Sequence, residues 1–569
     1  MNVRVGDASL ADARAPGWLS RENIIAKPGF NRWLVPPAAL AIHLCIGMSY
    51  GLSVFWLPLS RALSVGQPAP AACPDMGLAT ALFTTTCDWR VSDLVIVFSI
   101  GIVMLGLSAA VFGGWLERAG PRKAGLAAAL CWGGGFLIGS AGVYLHQLWL
   151  IWLGMGLIGG IGLGLGYISP VSTLVKWFPD RRGMATGMAI MGFGGGAMIG
   201  SPLATLLINT FKTPNAAGVW QTLAVMGGLY ILAMLCGAFG YRVPPAGWQP
   251  EGWTAPASKS AMITSGHVHL DKAHKTPQFW LLWAVLCLNV SAGIGVLALA
   301  SPMLQEIFGG ALIGQPGLGF AQLDAGQKTQ IAAVAAGFVG MLSLFNILGR
   351  FFWASMSDKI GRKVTYATFF ALGCVLYAAA PWAAGIGSKA LFVAFFCVIL
   401  SMYGGGFATI PAYLADVFGT QFVGAIHGRL LTAWSTAGVV GPFVVTAIRQ
   451  AQVDAGIQGA ELYTRTMYIL AAFLAAGFVA NLLVRPLAAR WFMSDAELAA
   501  VSKAGVSKAG VSKGSVSKGG VTGAPGRAGD FGIGRGGLTT LALLAWIAVG
   551  VPIAWGIWTT LTKALILFG

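Results

Sequence analysis

Gly113-Gly114-Trp115-Leu116-Glu117-Arg118-Ala119-Gly120-Pro121-Arg122-Lys123 is a short charged loop between two long apolar runs. It returns later in the chain as Asp358-Lys359-Ile360-Gly361-Arg362-Lys363, with Ala354 where the first copy has Gly113. Glu117 and Asp358 lie 241 positions apart, and the same offset separates Pro170 from Pro411 and Gly200 from Gly441. Three landmarks at one offset point to a duplicated unit. Within each copy the acid can cap the N-terminus of a neighbouring helix, the glycine permits a tight turn, and the basic residues can pair across one mouth of a bundle. Gly113, Glu117, Arg118, Gly120, Asp358, Lys359, Gly361 and Arg362 are therefore candidate gating residues that would latch one conformation shut. The plainer alternative is that these charges only orient the loop.

The runs on either side set the class. Of 569 residues 56% are apolar and 10% charged, against roughly 25% charge in a soluble protein. Mean hydropathy is +0.74. A soluble enzyme, a disordered chain and a disulfide-rich secreted domain are excluded. Apolar runs of about twenty residues, each able to cross ~30 Å of hydrocarbon as helix, recur at 33–59, 91–116, 124–145, 148–175, 183–208, 219–241, 278–304, 329–354, 364–384, 389–415, 426–448, 465–489 and 537–562. The 81 glycines suit closely packed membrane helices. Residues 1–30 lack the apolar core of a cleavable signal, so the first span is expected to target the chain itself.

Charge then orients the spans. With the N-terminus in the cytoplasm, 27 of the 36 Lys and Arg residues fall on the inner side and 8 on the outer. A multi-pass protein of a bacterial inner membrane is expected, its C-terminus in the periplasm. The net charge of +17 reflects this asymmetry rather than nucleic-acid binding. The expected partners are the bilayer and a small solute, with the monomer as the working unit.

The duplication divides the chain into a cytoplasmic arm (1–32), a six-helix bundle (33–241), a polar Pro-rich central loop (242–277), a second six-helix bundle (278–490), a low-complexity stretch (491–536) and a thirteenth helix (537–569). The stretch 491–536, with its VSKAG-type repeat, has no composition for a core and reads as a flexible basic tether. Six cysteines lie in spans as small apolar side chains; Cys73 and Cys87 share the first outer loop and are a candidate disulfide. No Cys/His spacing for a metal occurs, and His267, His269 and His274 read as a solvated loop cluster. No cofactor is expected.

Ionisable groups inside spans are costly and usually functional. No Asp or Glu lies deep in any span, Asp93 at the rim of the second being nearest. Arg350 is the one basic exception, ~12 Å along the helix from Asp358 at 1.5 Å per residue. A guanidinium stays charged and offers a planar fork to a carboxylate, so a fixed cation with no buried acid calls for a mobile anion. The bland alternative is snorkelling, or a reach to Asp358. Tyr50, Tyr167, Asn289 and Tyr403 can add hydrogen bonds to such a guest, or bond neighbouring helices. His43 reads as the only deep histidine and a possible proton carrier. Gly162-Leu163-Gly164-Leu165-Gly166, Gly194-Gly195-Gly196 and Gly404-Gly405-Gly406, each preceding a proline, are expected to allow close crossing and bending.

Further motifs carry a resemblance. Asn31-Arg32-Trp33-Leu34-Val35-Pro36-Pro37, Tyr167-Ile168-Ser169-Pro170 with Lys176-Trp177-Phe178-Pro179-Asp180-Arg181-Arg182-Gly183, Pro411-Ala412-Tyr413-Leu414-Ala415-Asp416 and Leu431-Thr432-Ala433-Trp434 resemble the oxalate:formate antiporter family of major facilitators over about residues 30–490. The resemblance implies the all-α major facilitator fold, two six-helix bundles that rock about a central site, here with an extra C-terminal helix similar to a one-span companion protein. It also implies exchange or carriage of small carboxylates. In the family's oxalate exchanger an arginine on helix eight and a lysine on helix eleven grip the dianion. Arg350 matches the first, and Trp434 stands in the context of the second. One cation in place of two favours a monocarboxylate, or a guest whose far end packs on Trp434.

The sequence thus points to a secondary carrier of small organic anions, with exchange as the natural mode and proton-coupled monocarboxylate symport as the alternative. A non-transporting sensor on the same scaffold is a weaker rival, because no soluble signalling domain is encoded. No nucleophile–base arrangement for an enzyme is present.

Overall fold

The computed structural model describes residues 18–20, 22–65, 77–245, 248–253, 262–507 and 540–564. The charged loops fold for local reasons. Gly120 and Gly361 both sit at φ +88, a left-handed backbone that side chains resist, and each ends one long helix and starts the next. Among the described residues thirteen helices are long and apolar enough to cross a membrane, and the protein is a multi-pass membrane protein.

In chain order these are α1 Arg32–Leu59, α2 Val91–Ala119, α3 Pro121–Tyr144, α4 Leu148–Trp177, α5 Arg182–Phe211, α6 Val219–Gly240, α7 Pro277–Ile313, α8 Gly326–Ile360, α9 Arg362–Gly385, α10 Lys389–Phe418, α11 Val423–Asp454, α12 Gly459–Leu483 and α13 Thr540–Thr562. Capping sets several starts: Asp324 accepts from the Gln327 amide at 2.8 Å, and the Gln327 side chain accepts from the Asp324 amide at 3.0 Å. α1–α6 and α7–α12 form two bundles, which meet along two seams, α2 against α11 and α5 against α8. The end carrying the 117–123 and 358–363 loops is called the basic face below.

Helical irregularity falls at sites other than those expected. The glycine runs of α4, α5 and α10 stay α-helical, and their prolines lie inside the helices. Their effect is close packing, as where Gly196 of α5 abuts Gly47 of α1. The departures are a 3-10 stretch at Gly47–Phe55 in α1, a π stretch at Trp152–Ile158 in α4, and an interruption at Leu431 in α11.

α13 packs on the outside of the two bundles, against α8, α5 and α1. Trp546 Nε1 donates to the Trp33 carbonyl at 3.2 Å near the basic face. Further along, Gly556 lies on Met198 and Ile199 of α5, and Thr560 lies on Gly340 of α8. The helix thus straddles the α5–α8 seam. The reading of 491–536 as a structureless tether needs correction at its start. Asp495–Ser507 is helical, Glu497 pairs with Lys272 at 3.0 Å, and the Met493 amide donates to the His267 carbonyl at 2.8 Å. The acids at 495 and 497 suit a helix N-terminus, which the repeat composition further on had obscured. The rest of that repeat lies outside the described residues.

Candidate functional site

Arg350 stands on the face of α8 that meets α5 and α10, and none of it is exposed. The slot is made by glycines: a Cβ at Gly194 of α5 would stand 3.0 Å from Arg350 Nε, and one at Gly404 of α10 3.1 Å from its Cγ. Arg350 Nε donates to Asn346 Oδ1 at 3.0 Å, one helical turn earlier, and Nη1 to the Ile190 carbonyl at 3.3 Å. Nη2 has no partner. The guanidinium carbon lies 5.2 Å from the Phe407 ring centroid and 5.7 Å from that of Phe193. Among the described residues no ion pair to Arg350 is found, and Asp358 is engaged elsewhere. A charge buried without a counter-ion is strongly disfavoured, so Arg350 stands as an uncompensated cation with one unpartnered donor.

Four of the sequence-derived residues gather around that cation. Trp434 of α11 lies 4.5 Å from Phe407, 5.2 Å from Phe193 and 5.2 Å from Tyr167, ring centroid to ring centroid. Tyr50 packs on Phe193 at 5.1 Å, lies beside Arg350, and meets the Tyr403 hydroxyl across the boundary between the bundles at 3.2 Å. The Tyr167 hydroxyl and the Trp434 indole N–H are buried without partners. The result is an aromatic box, contributed by both bundles, around one guanidinium edge. Of its two unpartnered polar tips, the indole N–H can only donate and the phenol hydroxyl can donate or accept.

Asn289 packs against Gly406 and lines a small cavity with Tyr377, Phe369, Met402 and Tyr403, so it meets the box through Tyr403. His43 is fully buried, with Nδ1 2.6 Å from the Ala189 carbonyl and Nε2 3.2 Å from the Tyr167 carbonyl. It is not the only deep histidine: His427, in the first turns of α11, is equally buried, its ring centroid 5.9 Å from that of Tyr167. Sequence reading also missed Phe193, Phe407 and Asn346. The i, i+4 spacing of Asn346 and Arg350 was the one available signal.

At the basic face the duplicated acids bridge the bundles. Glu117 of α2 accepts from the Gly424 amide of α11 at 3.2 Å, from Ser172 at 3.1 Å, and pairs with Lys176 at 2.6 Å. Asp358 of α8 accepts from the Gly183 and Met184 amides of α5 at 2.8 and 2.9 Å and pairs with Arg362. Gly183 and Gly424 are themselves 241 positions apart, so the two contacts are copies of each other. Asp416 adds a third tie, to Arg182 at 3.0 Å and Arg362 at 3.1 Å. Gly113 lets α2 approach Ala425 of α11. Arg118 and Lys359 make no hydrogen bond or ion pair among the described residues; the ion pair from bundle to bundle is Arg182 with Asp416, while Lys176 and Arg362 hold the acids of their own bundles.

Of the outer-loop cysteines, Cys87 is disulfide-bonded, and Cys73 lies outside the described residues. The three central-loop histidines have separate local roles. His269 caps the turn at Asp271, His274 meets Arg429 at 2.8 Å, and His267 is tucked against Gly419.

The family model for the Major Facilitator Superfamily matches residues 39–442. Over 291 residues the chain is 28% identical to the oxalate:formate antiporter of Oxalobacter formigenes, spanning 51% of this chain and 61% of that protein, less than two thirds of its length. It is 26% identical to apicoplast pyruvate carrier 1 of Toxoplasma gondii over 461 residues, 68% of this chain and 78% of that one. Among solved structures, a Major Facilitator Superfamily transporter, FucP, in the outward conformation superposes with a TM-score of 0.53 at 13% identity, covering 80% of this chain and all of the other.

Proposed function

The chain belongs to the Major Facilitator Superfamily of membrane carriers, and from that premise we propose that it moves small organic anions, monocarboxylates foremost, by alternating access. The observation that carries this is the unpartnered Nη2 of Arg350, buried in a box built by both bundles. A carboxylate there gains a charge-assisted hydrogen bond worth ~1.5–3 kcal/mol, and more from relieving an uncompensated buried charge. The empty carrier would have to reorient with that charge exposed to no counter-ion. Exchange of one anion for another avoids this step. The presence of Trp434 beside a single cation favours one carboxylate over two. The oxalate and formate of the Oxalobacter relative's name, and the pyruvate of the Toxoplasma relative's, fall within the same chemical class.

One observation favours the proton-coupled form. Both His43 ring nitrogens face carbonyl oxygens, and only the imidazolium carries two N–H donors to satisfy both. A proton held there could accompany a monocarboxylate. The excess of basic residues supports a reading with the basic face and N-terminus in the cytoplasm and α13's far end in the periplasm; a bacterial inner membrane and a working monomer belong to the same proposal. Counterflow into proteoliposomes loaded with formate, oxalate, lactate, pyruvate or acetate, with and without a pH gradient, tests the proposal. At least one of these is expected to drive uptake of its labelled form, and silence from all five would sink it.

A further inference from the structure

We infer that His427 is a proton-binding site of this carrier, set between the Glu117 contact at the basic face and the Arg350 box. The inference rests on the carboxylate-carrier reading above and sharpens its proton-coupled form. His427 is fully buried, and neither ring nitrogen has a hydrogen-bond partner. A neutral imidazole always presents one donor and one acceptor, and leaving either unmade at this depth is costly. A polar group kept in that condition is one whose partners arrive and leave.

Its place in the fold says when they arrive. The first turn of α11 begins at Gly424, whose amide is held by Glu117. His427 lies three residues further, ~4.5 Å along the helix, on the side toward the box. Its ring meets Tyr167, which in turn meets Trp434. Breaking the Glu117–Gly424 contact therefore uncovers His427 before it uncovers the anion site.

The duplication supplies a built-in comparison. The position equivalent to His427 in the first bundle is Thr186, 241 residues earlier, and the equivalent of Tyr167 is Ala408. Thr186 donates its hydroxyl to the Ala408 carbonyl at 2.7 Å and is satisfied. The same spot is thus a closed hydrogen bond in one bundle and an open imidazole in the other.

Tyr167 of α4 faces His427, and His43 of α1 is close enough to act on its charge; the nearest named carboxylates along the chain and fold are held elsewhere, Glu117 of α2 by Gly424, Ser172 and Lys176, and Asp416 of α10 by Arg182 and Arg362. Arg350 acts on His43 in turn. Among the described residues no carboxylate bonds His427 to fix a proton there permanently, so its loading follows hydration and the presence of an anion on Arg350. In the step itself a ring nitrogen lone pair of the neutral imidazole takes a proton from hydronium, leaving water. The imidazolium returns it to water when the opposite side opens.

The test uses the full chain in proteoliposomes with lactate, pyruvate, formate, oxalate and acetate as probes. An inward pH gradient is expected to stimulate net uptake by wild type at least several-fold. His427→Gln is expected to keep anion counterflow at equal pH within about twofold while losing that stimulation. Stimulation retained in His427→Gln, or absent in wild type, overturns the inference. If His427→Gln loses counterflow as well, nitrogen NMR of the wild-type histidine rings decides, with His427→Asn assigning the signal: a ring that takes up a proton when anion is added supports the site, and one that stays neutral overturns it. Failure of the anion site itself reads differently, as counterflow surviving the loss of Arg350.

Discussion

Phe193 of α5 and Trp434 of α11 occupy equivalent positions of the two bundles, 241 residues apart, and their rings meet with centroids 5.2 Å apart. The duplicated positions thus face each other at the centre of the molecule. Arg350 has no such counterpart, for the equivalent position in the first bundle is Ala109. The buried charge enters from one bundle only, while the aromatic lining comes from both. Anion binding in this geometry would draw the bundles together around a single off-centre cation.

Trp434→Lys would place a second cation in the box. The variant is expected to raise oxalate counterflow relative to lactate counterflow at least tenfold, because a dianion can bridge two charges and a monocarboxylate cannot. Two unpaired cations also repel at close range, so thermal stability without ligand should fall and be restored by oxalate. An unchanged oxalate-to-lactate ratio would mean that Trp434 does not face the guest.

Asp358→Asn removes the charge from the cap on α5 and the pair with Arg362, while keeping a side-chain oxygen. Loss of a negative charge at a helix N-terminus costs ~0.3–1 kcal/mol. The population closed at the basic face should fall accordingly, read as increased labelling by a membrane-impermeant thiol reagent of a cysteine introduced at Ala354, which is buried in the α5–α8 seam. Glu117→Gln should act alike on the α2–α11 seam, and the double variant should add to the single ones. No change in labelling in either variant would reduce these acids to loop anchors.

Gly556→Leu would push into Met198 and Ile199, and overpacking of this kind costs ~1–3 kcal/mol. α13 should loosen from the α5–α8 seam. A disulfide between cysteines at Gly340 and Thr560 measures this: it should form readily in the otherwise native chain and poorly with Gly556→Leu. Equal yields would place α13 elsewhere on the bundle.

The spans, the duplication and Arg350 were legible because hydropathy and rarity of charge carry them. With 10% charged residues, a lone arginine in an apolar run stands out. The lining of the box was not legible, because Phe193 and Phe407 look like any core aromatic in helices that are apolar all round. The same absence of a polar face explains Asn289, whose depth could be read but whose cavity beside Tyr403 could not. His427 escaped notice because it lies in the first turns of α11, next to a loop, where a histidine usually meets water. The helical start of 491–536 was hidden by the lysine-rich repeat that follows it.

Counterflow by Arg350→Gln, measured beside wild type across the five carboxylates in the same liposomes, tests the central claim most directly. Glutamine keeps a donor that can reach Asn346, and removes the charge, the free Nη2 and the Nη1 bond to the Ile190 carbonyl. Loss of exchange for every anion by at least tenfold, with folding intact by size-exclusion and thermal unfolding, is the predicted result. Exchange at the wild-type rate for any of them would contradict the assignment of Arg350 as the anion's anchor.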